Sequence, residues 1–354
     1  MIAARPVERG TTAGTDPVDP VSFRGAEARG GHVESYFLRA NDPLRRRALW
    51  LKATVLHALD GRRLNESWCI FFDAEHDRVF AHRVSTPDTG GFAVASAGAR
   101  LQLEAPSATW RLGDEGQARG SLEGPEGPAR WDLSWRRAPG TLGDPLSIYP
   151  SRILLEGPFP KSKLLTPWPS LSFDGRLEVF GETVALDGWQ GMLGHNWGRE
   201  HAFEYAWGQC AFLGPSRQPE AWLEGFSGRV KIGPATTPRL SALVLQRGGE
   251  TFRFDRIFDP WNQQARIAPR RWSLALESAH ARAELEMDAS DRPMVCLGYR
   301  NPDGRLAYCT NSKLAKVRLR VEPRRGPSFD LESAHGGALE ILTREAPDGF
   351  RRVV

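Results

Sequence analysis

The chain has 354 residues, of which 40% are hydrophobic and 25% charged, so disorder along its whole length is excluded and one or two folded units are expected. Its formal net charge is 47 − 43 = +4, and its basic residues are dispersed, which does not favour a nucleic-acid-binding protein. No apolar stretch is long enough to span a membrane, and the N-terminus lacks the apolar core of a signal peptide. We therefore expect a cytoplasmic protein, while transient membrane contact and the oligomeric state stay open.

The first segment, residues 1–30, is rich in Gly, Pro, Thr and Asp and is predicted to be a mobile tail. Beyond it, nearly every patterned segment alternates apolar and polar residues, as strands with one buried face do. The predicted strands are 48–59, 68–73, 99–104, 131–135, 203–212, 221–230, 243–247, 252–258, 272–277, 281–287 and 317–321.

Turn signals separate these strands at short intervals, and neither helical periodicity nor βαβ spacing is found. An all-β protein of this length is most simply built as two antiparallel barrels. Prolines interrupt the region 158–169, and 173–186 has the pattern of a hairpin that closes the first unit. We therefore predict an N-terminal barrel over 31–188 and a C-terminal barrel over 189–354.

Two of the four cysteines flank a predicted hairpin whose turn sets the register. The turn at 301–304 ends in Gly304, which suits the left-handed position after a type I turn. That register places Leu297 opposite Cys309, so Cys296 and Cys309 point to opposite faces of the sheet. A disulfide between them is disfavoured.

The common catalytic motifs are absent: the sequence has no phosphate-binding glycine loop, no HExxH and no GxSxG. We expect no cofactor. A metal site made by His195 and His201 with Glu200 or Glu204 is disfavoured, because residues that alternate along a strand do not converge on one ion.

The segment 188–210 contains a dense group of aromatic, histidine, acidic and amide side chains. On the predicted strand 203–212, Tyr205, Trp207 and Gln209 share one face, which is either an ordinary barrel core or the wall of a ligand pocket. On the next strand, Trp222 and Phe226 flank Glu224.

A carboxyl group on an apolar face is expected to have a raised pKa, so Glu224 is the candidate general acid. The alternatives are that this face is an exposed rim, or that Glu224 pairs with an Arg.

Before that strand lies the run His195-Asn196-Trp197-Gly198. A histidine suits proton transfer near neutral pH, and Asn196 could orient it or hold a substrate oxygen. Gly194 and Gly198 favour a loop at a barrel mouth. The alternative is that His195 is structural.

The segment 191–198, followed by Trp207-Gly208-Gln209, resembles the signature of the hydroxyneurosporene synthase (carotenoid 1,2-hydratase) and AttH-like lipocalin-type superfamily. Tocopherol cyclase and the lipocalin-like Diels–Alderases are more distant relatives. The segments 34–37, 48–51, 68–72 and 309–312 are similar as well. The resemblance implies two lipocalin-like β-barrels in tandem, with an apolar pocket where they meet.

The resemblance also implies an apolar ligand, such as a terpenoid, a polyketide or a lipid. In the hydratases an acid protonates a carbon–carbon double bond and water adds to the cation. Aromatic faces stabilise that charge, a role open to Trp197, Tyr205, Trp207 and Trp222. The hydratases carry an Asp directly before the His, where this chain has Gly194. Glu224, Glu204, Glu200 or Asp187 would have to replace it.

Two functions follow. The first is an enzyme that promotes addition, cyclisation or isomerisation, with Glu224, His195 and Glu204 as catalytic residues. The second is a carrier that binds a lipid in the same pocket without chemistry. In either case the predicted ligand-binding residues are Asn196, Trp197, Tyr205, Trp207, Gln209, Trp222 and Phe226. A carboxyl group inside the pocket would favour the enzyme.

Overall fold

The computed structural model describes residues 21–25, 30–88, 92–94, 101–113, 115–137, 145–257, 259 and 263–354. Most of these residues belong to two antiparallel sheets, which follow each other along the chain. The first sheet contains β1 (His32–Asn41), β2 (Arg47–His57), β3 (Arg63–Asp73), β4 (Arg78–Pro87), β5 (Ala93–Val94), β6 (Leu101–Ala105), β7 (Ala108–Leu112), β8 (Glu115–Gly124), β9 (Gly127–Arg137), β10 (Ser162–Val179) and β11 (Glu182–Gly198). A short helix, α1 (Arg152–Glu156), precedes β10.

The first sheet has the strand order β4-β3-β2-β1-β11-β10-β9-β8-β7-β6-β5. Its first strand in the chain, β1, therefore pairs with its last, β11, although the other strands of the sheet lie between them in sequence. The sheet curls until β4, at one edge, packs against β8 near the other. Its inner face carries the alternating apolar residues of each strand, such as Trp131, Leu133 and Trp135 of β9, which form one core.

The second sheet contains β12 (Glu204–Leu213), β13 (Pro219–Arg229), β16 (Leu240–Arg247), β17 (Glu250–Phe254), β18 (Gln263–Ala268), β19 (Arg271–Glu277), β20 (Ala281–Asp288), β21 (Val295–Arg300), β22 (Leu306–Pro323), β23 (Phe329–Thr343) and β24 (Arg352–Val353). Its order is β17-β16-β13-β12-β23-β22-β20-β19-β18, with β21 on β22 and β24 on β21. It curls in the same way, with β16 against β18 and β19, around a second core. The strands β14 (Lys231–Ile232) and β15 (Ala235–Thr236) pair with each other and form a separate two-stranded sheet.

The structure therefore consists of two antiparallel barrels, as the alternation and the chain length predict, and they are lipocalin-like, as the resemblance implies. The change of sheet lies between Gly198 and Glu204, because β11 keeps pairing with β1 up to Gly198. The predicted boundary after residue 188 falls inside β11. Pro167 and Pro169, interpreted as breaks, lie within β10, where the register to β11 shifts twice and so accommodates them.

The predicted loop at 191–198 is wrong, because the whole segment is part of β11. Its glycines serve close packing rather than a turn. A β-carbon on Gly191 would lie 1.7 Å from the carbonyl oxygen of Arg39 on the neighbouring strand. Glycine there lets the backbones of β1 and β11 approach.

Most of the predicted tail, residues 1–20 and 26–29, lies outside the described residues, as do residues 99, 100 and 258 of two predicted strands. The described part of the tail contacts the first barrel. Val21 is buried, and its carbonyl accepts a hydrogen bond of 2.9 Å from the Tyr36 hydroxyl.

The predicted register of the late hairpin is confirmed: Leu297 pairs with Cys309, and Gly304 has a φ of 85°. The backbone N–H of Asn301 donates to the carbonyl of Arg305, which closes the turn at 2.8 Å. Within the described ranges, no helix has the length and apolar character needed to cross a membrane.

Candidate functional site between the barrels

The two barrels meet through a layer of large side chains from the outer faces of both sheets. Phe37 of the first barrel packs edge-on against Trp207 of the second, with ring centroids 6.1 Å apart. Trp68 packs in the same way against Tyr299, at 5.9 Å. These contacts bury aromatic surface from each barrel and fix how the sheets face each other.

A pocket opens in this layer and holds about 1660 Å³ of empty space, counting its mouth. We call it the inter-barrel pocket. Its apolar lining comes from both barrels and from the segments around α1, and its main members are Phe37, Ile148, Leu154, Phe159, Leu164, Phe203, Tyr205, Trp207, Phe226, Leu240 and Ala242. An apolar cleft of this kind is the usual form of a small-molecule site.

One wall of the pocket is a row of cross-strand neighbours, Trp207, Phe226 and Ala242, which lie on β12, β13 and β16. We call it the Trp207 row. The predicted aromatic face of β12 lines a pocket through Tyr205 and Trp207, and this pocket lies between the barrels, where the resemblance implies one. The barrel interior is occupied by the alternate residues of β12, such as Ala206 and Cys210.

The next row along the same strands is Gln209, Glu224 and Val244, which we call the Glu224 row. Glu224 is 1% exposed. Its Oε1 accepts a hydrogen bond of 2.9 Å from the Trp207 indole N–H, and the Thr166 hydroxyl donates to both carboxyl oxygens at 3.1 and 3.2 Å. Glu224 does not line the pocket itself, whereas Trp207 does.

Burial raises the pKa of Glu224 to about 7, and the hydrogen bonds from Trp207 and Thr166 offset only part of that effect. Among the described residues, no cationic side chain forms an ion pair with it. This carboxyl group is therefore partly protonated near neutral pH.

Three other predicted residues lie away from the pocket lining. Gln209 is fully buried beside Glu224, and its amide atoms find no hydrogen-bond partner in the described part of the chain. Trp222 is also fully buried and packs with Leu146, Ala211 and Val244. Glu204 is half-buried on the other face of β12, opposite Arg229, because strand residues alternate.

The run 195–198 divides between two environments, because successive residues of a strand point to opposite faces. Asn196 lines the inter-barrel pocket. His195 lies inside the first barrel, where its Nε2 is 2.8 Å from Oε1 of Glu34 and its ring stacks on Tyr36 at 4.3 Å. Trp197, 4.6 Å from His195, lies under the guanidinium of Arg24, at 5.4 Å.

Glu34 is the centre of this second group, which we call the Glu34 cluster: Glu34, His32, Tyr36, His195 and the backbone N–H of Arg24. The carboxylate is fully buried and bonds to His32 Nε2 at 2.9 Å, the Tyr36 hydroxyl at 3.2 Å and the Arg24 N–H at 2.9 Å. Burial alone would raise the pKa of Glu34, but the hydrogen bonds from His195 and His32 lower it to about 2.

Gly194 lies on the pocket side of β11, and its neighbour there is Phe37. A β-carbon on Gly194 would lie 2.1 Å from Cζ of Phe37, whose ring is held by Trp50 and Trp207. The phenyl ring therefore occupies the place in which an Asp side chain at position 194 would have to lie.

A third buried polar group lies deeper between the barrels. Lys313 is fully buried, and its Nζ is 2.5 Å from Oε1 of Glu340, to which Asn311 also donates at 3.0 Å. The Tyr205 hydroxyl, in the pocket lining, donates to Glu340 Oε2 at 3.4 Å. Lys52 lies 4.0 Å from the Tyr299 ring centre, and burial lowers its pKa to about 8.

The sequence predicts no site role for Glu34, Thr166, Lys163, Lys313 or Glu340, although Glu34 lies in a segment that carries the family resemblance. For Glu34 a signal exists: alternation places it on the same face of β1 as His32, Tyr36 and Leu38, and this face points into the first barrel. The others depend on strand pairs that no short pattern reveals. Within the described ranges, no three His, Cys, Asp or Glu side chains are arranged to hold a metal ion.

Two antiparallel barrels with an apolar pocket between them define a lipocalin-like two-barrel protein. No family model matches the chain. It is 25% identical over 311 residues to the uncharacterised protein Rv0493c of Mycobacterium tuberculosis, an alignment that covers 85% of this chain and 84% of that protein.

The comparison with solved structures gives the same architecture. The crystal structure of a candidate AttH, NE1406 of Nitrosomonas europaea, aligns with 97% of this chain and 100% of its own, at a TM-score of 0.52 and 12% identity. The structure of CghA with Sch210972 aligns over 89% of both chains, at a TM-score of 0.54 and 12% identity. The chain thus shares the two-barrel fold of these two structures.

Proposed function

We propose that the protein is an enzyme that binds an apolar small molecule of terpenoid or polyketide type in the inter-barrel pocket. It promotes addition, cyclisation or isomerisation by donating a proton from Glu224. The observation that carries the proposal is a buried carboxyl group, with a pKa of about 7, in the row directly beside the Trp207 row. A catalytic acid works best when its pKa lies near the operating pH.

The residues around Glu224 suit this role. The Trp207 indole N–H and the Thr166 hydroxyl donate to the carboxyl oxygens, so they stabilise the carboxylate that remains after the proton leaves. The rings of Phe37, Phe226 and Trp207 line the space in which a protonated double bond would carry its positive charge. The cation then returns a proton to the Glu224 carboxylate, either directly, which gives an isomer, or after it has closed a ring. Alternatively it captures a water molecule, whose released proton restores the carboxyl group of Glu224.

Because Glu224 does not itself line the pocket, proton transfer requires a local movement that brings the ligand and the carboxyl group into contact while the Trp207 N–H keeps its hydrogen bond to Glu224. His195 has no place in this chemistry, since the Glu34 cluster holds it inside the first barrel. We propose no carotenoid hydration either, because Phe37 fills the position of the acid that those hydratases carry.

A carrier is the second candidate, and one observation favours it. In the described part of the pocket lining, the carboxylates are Glu200 and Asp303. Both lie at the mouth and are ion-paired, Glu200 with Lys161 and Asp303 with Arg305. A pocket whose acids are all neutralised could bind a ligand without changing it. The co-crystal of CghA with Sch210972 supports ligand binding by this fold.

One experiment separates the two candidates. The wild-type protein and Glu224→Gln are purified from the source cells, and the small molecules that co-purify are identified by mass spectrometry. An enzyme retains product in the wild type and substrate in the variant, so the two molecules differ by one water or are isomers. A carrier retains the same molecule in both proteins. Glu200→Gln, which changes a carboxyl group at the mouth, is the matched control.

A further inference from the structure

The charged residues of the inter-barrel pocket are strongly biased towards cations. Lys161 and Arg305 are neutralised by Glu200 and Asp303, at 3.3 and 2.6 Å. Four other lining cations form no ion pair in the parts of the chain that the structure describes: Lys163, Arg229, Lys231 and Arg344. Two of these still have a carboxylate nearby, because Glu204 lies opposite Arg229 on the paired strand and the charge of Arg344 acts on Asp303. An apolar ligand with no charge gives no reason for this excess, whereas a negatively charged ligand does.

Lys163 differs from the other three cations because it is buried. The residue is 5% exposed, whereas Arg229, Lys231 and Arg344 are exposed at the mouth. Its Nζ donates to the carbonyl of Leu154 at 2.5 Å and lies 6.0 Å from the centre of the Tyr149 ring. Both of those residues line the pocket.

An ammonium group has three N–H donors, and a single carbonyl accepts one. Burial lowers the pKa of Lys163 to about 8, so the amine still carries its charge at neutral pH. A buried cation without an anion is unfavourable, and a ligand that brings an anion relieves that cost.

We infer that the ligand of the inter-barrel pocket is an amphipathic anion, whose carboxylate or ionised enol pairs with Lys163 while its apolar part lies against the Trp207 row. The inference rests on the proposed function, because it concerns the ligand of the same pocket. The exposed cations at the mouth attract such a ligand, and Lys163 holds its charged end.

The test compares two probes that differ only in their head group, decanoate and decan-1-ol, by titration calorimetry. We expect the wild type to bind decanoate about tenfold more tightly than the alcohol, as one charge-assisted hydrogen bond provides. Lys163→Met should remove that preference and leave the affinity for decan-1-ol unchanged, which also shows that the variant is folded. Lys163→Arg, which keeps the charge, should preserve most of the preference.

The matched control is Lys231→Met, which removes one cation from the exposed mouth and should weaken decanoate binding by less than about threefold. Equal affinity of the wild type for both probes would overturn the inference while leaving an apolar pocket intact. An equal loss in Lys163→Met and Lys231→Met would also overturn it, because general attraction would then explain the preference. If neither probe binds, the proposed apolar ligand site itself is wrong.

Discussion

Glu34 and Glu224 are both buried carboxyl groups, but their pKa values are shifted in opposite directions. Glu34 lies inside the first barrel with a pKa lowered to about 2, whereas Glu224 lies between the barrels with a pKa raised to about 7. Their exposures, 0% and 1%, are the same. The difference comes from their partners, since His32, His195, the Tyr36 hydroxyl and the Arg24 N–H bond to Glu34, whereas only Trp207 and Thr166 among the described residues bond to Glu224. Burial alone therefore does not mark a catalytic acid.

The largest effect is expected from Glu224→Gln on turnover. If Glu224 donates the proton, the variant should convert the co-purified substrate about 1000-fold more slowly, because an amide has no transferable proton. The measurement is a steady-state assay by chromatography. Glu34→Gln is the contrasting variant and should change kcat only as far as it lowers the folded fraction. Equal activity of Glu224→Gln and the wild type would remove Glu224 from the mechanism.

Glu34→Gln should lower the free energy of unfolding at neutral pH more than Glu224→Gln does. The pKa of Glu34 lies below its ordinary value of 4.5, at about 2, so ionised Glu34 stabilises the folded protein by about 3 kcal/mol at neutral pH. That stabilisation is present above pH 4.5 and is lost as the pH falls towards 2. Urea unfolding at neutral pH should show the decrease. An unchanged unfolding midpoint would mean that the histidines do not hold a charged Glu34.

Glu224 should give the opposite pH dependence. Its pKa is higher in the folded protein than the ordinary value of 4.5, so the folded state binds the proton more tightly than the unfolded chain. Its contribution is fully present below pH 4.5 and is lost as the pH rises through 7. Relative to Glu224→Gln, the wild type should lose about 3 kcal/mol over that range. Parallel stability curves for the two proteins would contradict a raised pKa.

The smallest effect is expected from Thr166→Val, which keeps the side-chain shape and removes one donor to Glu224. The pKa of Glu224 should rise further, and the free energy of unfolding should fall by about 1 kcal/mol. Infrared spectroscopy of the protonated carboxyl band across pH measures the shift, with Glu224→Gln as the blank. A shift in the opposite direction would show that Thr166 accepts the carboxyl proton instead of donating.

The period-two pattern predicts much of this arrangement. It correctly places Trp207 with Gln209, and Glu224 between Trp222 and Phe226, because side-chain direction along a strand is a local property. It cannot show which side of a sheet meets another barrel. That depends on how the barrels pack. In the structure, the face of β12 that carries Trp207 meets the first barrel, and the opposite face points into the second barrel.

The Glu34 cluster shows the limit most clearly. Glu34 and His195 are 161 residues apart and meet only because β1 closes against β11. The run 191–198 has the glycine content of a loop, yet it is a strand, since its glycines face crowded neighbours. The glycine content predicts conformational freedom at these positions. It does not predict that neighbouring atoms approach them closely, which is possible because glycine has no side chain.

The contact between Phe37 and Gly194 also restricts how this chain can change through evolution or design. An acid at position 194 and an aromatic ring at position 37 exclude each other, since both would occupy the same space. A Gly194→Asp exchange made alone would therefore place the new side chain against the Phe37 ring. The permitted order begins with a smaller residue at position 37, which opens the space at the cost of packing against Trp50 and Trp207. Positions 37 and 194 can therefore change only together. A protein that has Phe37 must first lose the packing of this ring before an acid at position 194 fits.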